Sequence, residues 1–297
     1  MKRIIFLLLL SFNYIFPQAG DTGLAFLKIG FGARNMAMGD LGVVLASDVG
    51  SGFYNPALLA ENYSSQIMLT HNEWMTDVRS ELIGASFNLF GLQFAAGFNT
   101  TSIFDFEIRT KPGEPVSTFN ANYFYGSLST GFNIYQKLSA GLTFKFIHEN
   151  LLTDQARGIA FDFGLFYRDV IENLNIGAAI KNIGSMNELR NESTELPMDV
   201  SIAASYNYYF NELNSDLTLA AGYQLFTQTS DSHVNFGAEF LYDAVFAIRT
   251  GYLTGYETKG LTAGAGIFWD SIRFDYAFIP LDYDLGNSHI ISIGYDF

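Results

Sequence analysis

From residue 64 onward the chain alternates apolar with small or polar positions at a period of two, the signature of strands whose two faces meet different surroundings. Phe161, Phe163, Leu165 and Tyr167 fall on one face, and Ala160, Asp162, Gly164 and Phe166 on the other. Val200, Ile202, Ala204, Tyr206, Tyr208 and Phe210 oppose Ser201, Ala203, Ser205 and Asn207. The last segment sets Ile291, Ile293, Tyr295 and Phe297 against Ser292, Gly294 and Asp296. Cut at turn signals, the pattern predicts strands near 64–74, 80–90, 91–102, 120–134, 137–149, 156–168, 173–183, 197–210, 214–227, 232–241, 244–254, 260–269, 271–280 and 288–297. That is an even number, fourteen, and many of the segments have about the length that a tilted strand needs to cross a bilayer.

The predicted connections alternate in length. Tight ones fall at 88–92, 135–137, 169–173, 211–214, 242–243 and 269–271, and longer, more polar ones at 103–119, 150–156, 184–196, 228–232, 255–259 and 281–287. Short periplasmic turns facing longer outer loops are the asymmetry of outer-membrane barrels. Aromatic residues gather near predicted strand ends, as in Tyr123-Phe124-Tyr125, Tyr206 to Phe210, Trp269 and Tyr283. Such rings suit a membrane interface, with the body apolar and the polar tip wet. The expected fold class is all-β: a transmembrane antiparallel β-barrel of about 14 strands over 64–297. A soluble periplasmic β-protein is the rival.

Composition narrows the choice. Only 15% of the 297 residues are charged and 16% are aromatic, which excludes intrinsic disorder. The balance of 16 Lys and Arg against 30 Asp and Glu makes a poor partner for nucleic acid, whose binding rests on neutralising phosphates. With no Cys there are no disulfides, thiolate metal sites or cysteine nucleophiles. Met1-Lys2-Arg3, the apolar run from Ile4 and the small residues around Ala19 read as a secretory signal peptide over 1–19, and a retained anchor is the alternative. The expected location is the outer membrane of a Gram-negative-type envelope, in contact with its lipid.

Residues 20–63 do not alternate. Their small residues suit close backbone approach, and Pro56 with Asn55 before it suits the start of a short helix. The segment reads as a plug or hatch packed in the barrel, or else as a periplasmic extension. These residues also carry a resemblance. Gly32-Ala33-Arg34, Met38-Gly39, Val44 to Asp48 and Asn55-Pro56-Ala57 resemble the N-terminal signature of the PorV/PorQ family. The closing hairpin agrees, with Asp275-Tyr276, Pro280, Gly286, His289, Tyr295 and Phe297. The resemblance covers essentially the whole chain after the signal peptide. It implies a FadL-like barrel, a role in type IX protein secretion or surface attachment, and as partners the translocon, attachment proteins and cargo C-terminal domains.

No catalytic or metal-binding pattern emerges. His71, His148, His233 and His289 are scattered without ligand spacing, and no phosphate loop is present. A non-enzymatic protein with no cofactor is expected, although some barrel enzymes do use Ser and His. Charges within predicted strands should face the lumen or lie near the rims, because charge on the lipid face is costly. Lys145, Asp162, Lys181, Arg273 and Asp275 sit on the non-aliphatic faces and are the lumen candidates. They read either as paired filling or as the lining of a solute path. A passive transporter of hydrophobic small molecules, with the N-terminal segment as hatch, is therefore the alternative function.

Overall fold

The computed structural model describes residues 24–74, 77–152, 154–189 and 192–297. The expected signal peptide, 1–19, and the first residues of the expected plug, 20–23, lie outside the described residues. Barrel strands run β1 Gln66–Glu73, β2 Val78–Leu89, β3 Leu92–Ile108, β4 Ser117–Tyr135, β5 Leu138–Leu151, β6 Asp154–Ile171 and β7 Leu174–Met186. After a short hairpin, β8 Glu188–Leu189 with β9 Glu192–Ser193, they continue as β10 Asp199–Phe210, β11 Ser215–Phe226 and β12 Asp231–Tyr242. The last four are β13 Phe246–Leu253, β14 Leu261–Trp269, β15 Ile272–Pro280 and β16 Asn287–Asp296.

Each barrel strand pairs antiparallel with its neighbour, and β1 closes the barrel on β16, with Gln66 opposite Asp296. Among the described residues the closed sheet has 14 strands, β8 and β9 forming a separate small sheet. Closure removes the open edges that would leave backbone polar groups unpaired in lipid. The alternation is strict in β13, where Ala247, Arg249, Gly251 and Leu253 are buried while Phe246, Ile248, Thr250 and Tyr252 are exposed. The exposed face is the apolar one, so it faces lipid rather than water.

The tight connections use residues that tolerate a left-handed backbone. Positive φ occurs at Asn173, Asn214, Asp243 and Asp270, and at the Phe90-Gly91 pair between β2 and β3. Tyr206, Tyr208, Tyr242, Trp269 and Tyr295 are exposed around this end of the barrel. The Tyr123-Phe124-Tyr125 cluster divides instead. Tyr125 points inward and is 2% exposed, in tilted and edge-on contact with the plug rings Phe26, Phe31 and Phe53, while Phe124 faces outward against His148.

Two expected loops contain further strand. The 103–119 connection shrinks to 109–116, because β3 and β4 pair on past a bulge at Asp105 (φ 61), with Phe106 stacked on Phe119. That bulge breaks the alternation that the sequence reading relied on. The 184–196 loop holds the end of β7 and the β8–β9 hairpin.

The N-terminal segment lies within the lumen, as helices α1 Ala33–Ala37, α2 Gly42–Leu45 and α3 Ser51–Tyr54 with 3₁₀ turns at Ala25–Lys28 and Pro56–Glu61. Asn55 caps the second 3₁₀ turn, its side chain accepting from the Ala57 N–H at 3.1 Å. Phe26, Met38, Leu41, Val43, Val49 and Phe53 form the main apolar core with inward barrel residues such as Ile147, Phe166 and Ala203.

Candidate functional site

The plug runs the length of the lumen and is anchored at each level. At the long-loop end Phe26 stacks on Tyr123, with centroids 5.1 Å apart. Lower down, the Ala33 N–H donates to Ser292 Oγ at 2.9 Å and Thr262 Oγ1 donates to the Ala37 carbonyl at 2.9 Å. Gly52 accepts through its carbonyl from Ser129 and Thr143, at 3.1 and 3.0 Å. At the tight-turn end Glu61 accepts from Ser139 at 2.6 Å and from Arg168 at 2.8 Å.

The N-terminal motif residues supply the close contacts. Gly32 caps α1 at φ 79. Gly39, at φ 71, lies so close to the wall that a Cβ there would come within 2.4 Å of the Phe236 carbonyl oxygen. Met38 and Ala57 are fully buried. Asn55 donates from Nδ2 to the carbonyls of Val43 at 2.8 Å and Leu165 at 3.0 Å, tying plug to β6. Pro56 follows it and packs where Gly141 leaves room.

A chain of six charged groups joins plug to barrel. Arg34 donates to both Glu239 carboxylate oxygens, at 3.0 and 2.7 Å, and to the Leu45 carbonyl at 2.6 Å. Arg249 bridges Glu239 at 2.5 Å and Asp275 at 2.7 Å. Arg273 contacts Asp275 at 3.0 Å and closes on Asp48, whose other oxygen accepts from the Gly50 N–H at 2.7 Å. Three guanidiniums meet three carboxylates, so the chain is neutral, and Arg249 is wholly buried. A buried charge is tolerable only when paired in this way.

A second polar layer lies nearer the long loops. Lys145 pairs with Asp162 at 2.7 Å and donates to Asn182 at 2.8 Å, and the Asn182 N–H donates back to Asp162 at 2.8 Å. Asn182 has φ 62 and sits at a register shift between β6 and β7, which aims its amide at that carboxylate. Lys181 pairs with Asp199 at 3.0 Å. In the plug, Tyr54 donates to Asp40 at 2.6 Å and accepts from the Phe31 N–H at 2.8 Å.

All five lumen candidates therefore point inward, divided between these two clusters. Glu239 and Arg249, charges within strands that the same rule sends to the lumen or the rims, complete the first cluster, and Asp199 and Asn182, which sequence reasoning did not single out, complete the second. Glu239 and Arg249 carried a signal: opposite charges placed symmetrically about the Asp243 turn. Glu81 faces outward and pairs with His71 at 2.7 Å, near the outer ends of β1 and β2. In the closing hairpin Asp275 is lumenal, while the hydroxyl of Tyr276 meets His289 Nδ1 at 2.8 Å on the outer face. Pro280 ends β15 opposite Asn287, and Gly286, at φ 83, accepts from the Leu281 N–H at 3.2 Å. Tyr295 and Phe297 pack edge to face at 4.9 Å.

Above the plug the long loops enclose a vestibule of about 960 Å³, floored by Phe26, Lys28 and Ile29 and walled by Trp74, Phe226 and Tyr256. Outside, a lipid-facing groove of about 580 Å³ runs over small residues including Ala204, Ala221 and Ala238.

Similar folds occur among solved structures. The Ralstonia pickettii toluene transporter TbuX matches at 17% identity and TM-score 0.64, covering 90% of this chain and 98% of that one. The Pseudomonas putida toluene transporter TodX matches at 14% and 0.60, over 89% and 96%. A Pseudomonas aeruginosa FadL homologue matches at 12% and 0.53, over 89% and 97%. No curated protein matches the sequence. A closed, lipid-facing sheet around an internal plug defines an outer-membrane β-barrel of FadL-like fold. Residues 147–295, half of the chain, match the family of the type IX secretion system membrane protein PorP/SprF, and the chain belongs to that family. That family is described as PorP/SprF; the PorV/PorQ family expected from the terminal motifs is not the one matched.

Proposed function

We propose that the protein is a non-enzymatic component of type IX secretion, exported by its signal peptide to the outer membrane. There it takes part in protein export or in the attachment of cargo at the cell surface, as the PorV/PorQ-like terminal motifs suggest. Its partners are the translocon or attachment proteins and the C-terminal domains of cargo, met through the outer loops and rim. The observation that carries the reading is the ionic chain from Arg34 and Asp48 to Glu239, Arg249, Arg273 and Asp275. A plug held by paired buried charges is costly to move, which favours a closed barrel that works by binding. The PorP/SprF family match supports the same pathway.

One observation favours a second reading, passive transport of hydrophobic small molecules: the large aromatic-walled vestibule on a fold shared with hydrocarbon transporters. Deleting the gene separates the two. The export reading expects loss of surface display of signal-bearing cargo with uptake of hydrophobic solutes unchanged. Unchanged display overturns it, and loss of uptake alone supports transport.

A further inference from the structure

The vestibule holds two cations, Lys28 and Lys259, that no carboxylate contacts directly. No carboxylate of the described residues lies within ion-pair distance of Lys28 or Lys259. Lys259 instead lies over two aromatic faces, 4.2 Å from the Tyr256 centroid and 5.5 Å from that of Trp74. Lys28 lies 4.8 Å from the Phe226 centroid. The two acids that line the cavity, Asp231 and Glu257, are exposed at its lip, and Asp231 already accepts from Thr229 at 2.6 Å.

Trp74 adds a third donor. It is 7% exposed and lines the cavity, yet its indole N–H has no partner. A buried donor without an acceptor is unfavourable and uncommon in folded proteins. Tyr256 is fixed by a parallel stack on His233, with centroids 3.7 Å apart. Burial pushes the Lys259 ammonium below its ordinary range, offset only partly by Asp40. Lys28 is lowered in the same way, with Asp231 opposing. Apolar walls converging on a few unmet polar groups are the ordinary anatomy of a ligand site.

We propose that the vestibule binds an organic anion with an apolar or aromatic body, its anionic group held by the Lys259 and Lys28 ammoniums and the Trp74 indole N–H. The body lies against the rings, and charge-assisted contacts orient the head. A polypeptide C-terminus and a free amphiphilic carboxylate share this chemistry. The inference goes beyond the secretion reading and does not depend on it.

The test uses the full protein in lipid nanodiscs with Trp269→Phe, which leaves Trp74 as the remaining one of the 2 Trp residues. Trp74 emission is followed during titration with dansyl-undecanoate and its methyl ester, and with a dansyl-Ala-Phe-Tyr peptide as free acid and as amide. Saturable binding of at least one acid is expected, at least about ten-fold tighter than its neutral counterpart. Lys259→Met should remove that preference and Lys259→Arg keep it, with heat-modifiable gel mobility reporting the fold. Tighter binding of the peptide acid assigns the source to a chain terminus; tighter binding of undecanoate assigns it to an amphiphile. Equal binding of acid and neutral forms overturns the proposal, as does no binding of either acid. So does unchanged binding in both Lys259→Met and Lys28→Met.

Discussion

Arg34 of the plug and Glu239 of β12, separated by 205 residues, meet through two hydrogen bonds at 3.0 and 2.7 Å inside the barrel. Glu239 also serves Arg249 of β13 at 2.5 Å, so one carboxylate balances a cation of the plug and a cation of the wall.

Removing that carboxylate leaves two guanidiniums short of an anion. Glu239→Gln should therefore destabilise the protein by about 3–5 kcal/mol, the range for breaking a buried pair. Urea unfolding in detergent micelles measures it, and a loss under about 1 kcal/mol would count against a tightly paired network.

If the ionic chain holds the plug, cutting it should let ions through. Arg34→Ala and Asp48→Ala are expected to raise conductance in planar bilayers over a near-silent wild type. The exposed pair His71–Glu81 is the control, because it lies on the outer wall. Conductance unchanged in both plug variants would show that other contacts keep the lumen closed.

Gly39→Ala combines a left-handed φ of 71 with a contact of 2.4 Å to the Phe236 oxygen. A cost of roughly 1–3 kcal/mol is expected from such strain. Gly126→Ala, where a Cβ meets no atom within 4 Å, should change stability by less than about 0.5 kcal/mol. Similar effects at both sites would refute the close approach.

Asn55 holds three hydrogen bonds and is fully buried. Asn55→Ala should cost about 2–4 kcal/mol, from the loss of three hydrogen bonds, within the plug and to β6. Asn55→Asp keeps the cap but cannot donate to Val43 and Leu165, so it should fail nearly as badly. A well-tolerated Asp variant would mean that capping alone matters.

Lys259 yields a pH dependence. Its folded pKa lies below 10.5, so the folded state binds fewer protons than the unfolded state as pH approaches that value. Stability should then rise with pH between the lowered value and 10.5 and be flat below it. Lys259→Met should lose this rise. Parallel wild-type and variant profiles across that window would contradict the burial of the ammonium.

Much of the fold was written in the pattern itself. A period of two places each side chain on one face by parity alone, so Lys145, Asp162, Lys181, Arg273 and Asp275 could be assigned to the lumen without a partner in view. Turn residues such as Asp243 and Asp270 bounded the strands because only a few residue types accept a left-handed backbone. Parity failed where a bulge reset it, at Asp105, and the expectation of interface aromatics failed at Tyr123 and Tyr125, which point inward against the plug.

The pairings belonged to the tertiary structure. Parity says that Glu239 and Arg249 can be internal, but not that they meet each other or Arg34 of the plug. Barrel closure and the path of the plug bring together groups 205 residues apart, and no local spacing records that distance. The vestibule is likewise unwritten: Lys28, Trp74 and Lys259 come from three separate segments, each ordinary alone. Sequence by itself determined a strand-built wall with an apolar outer face, because that depends on nearest neighbours. Which buried charges are neutralised, and which two cations are left for something else, was decided only when the sheet closed around its own N-terminal segment.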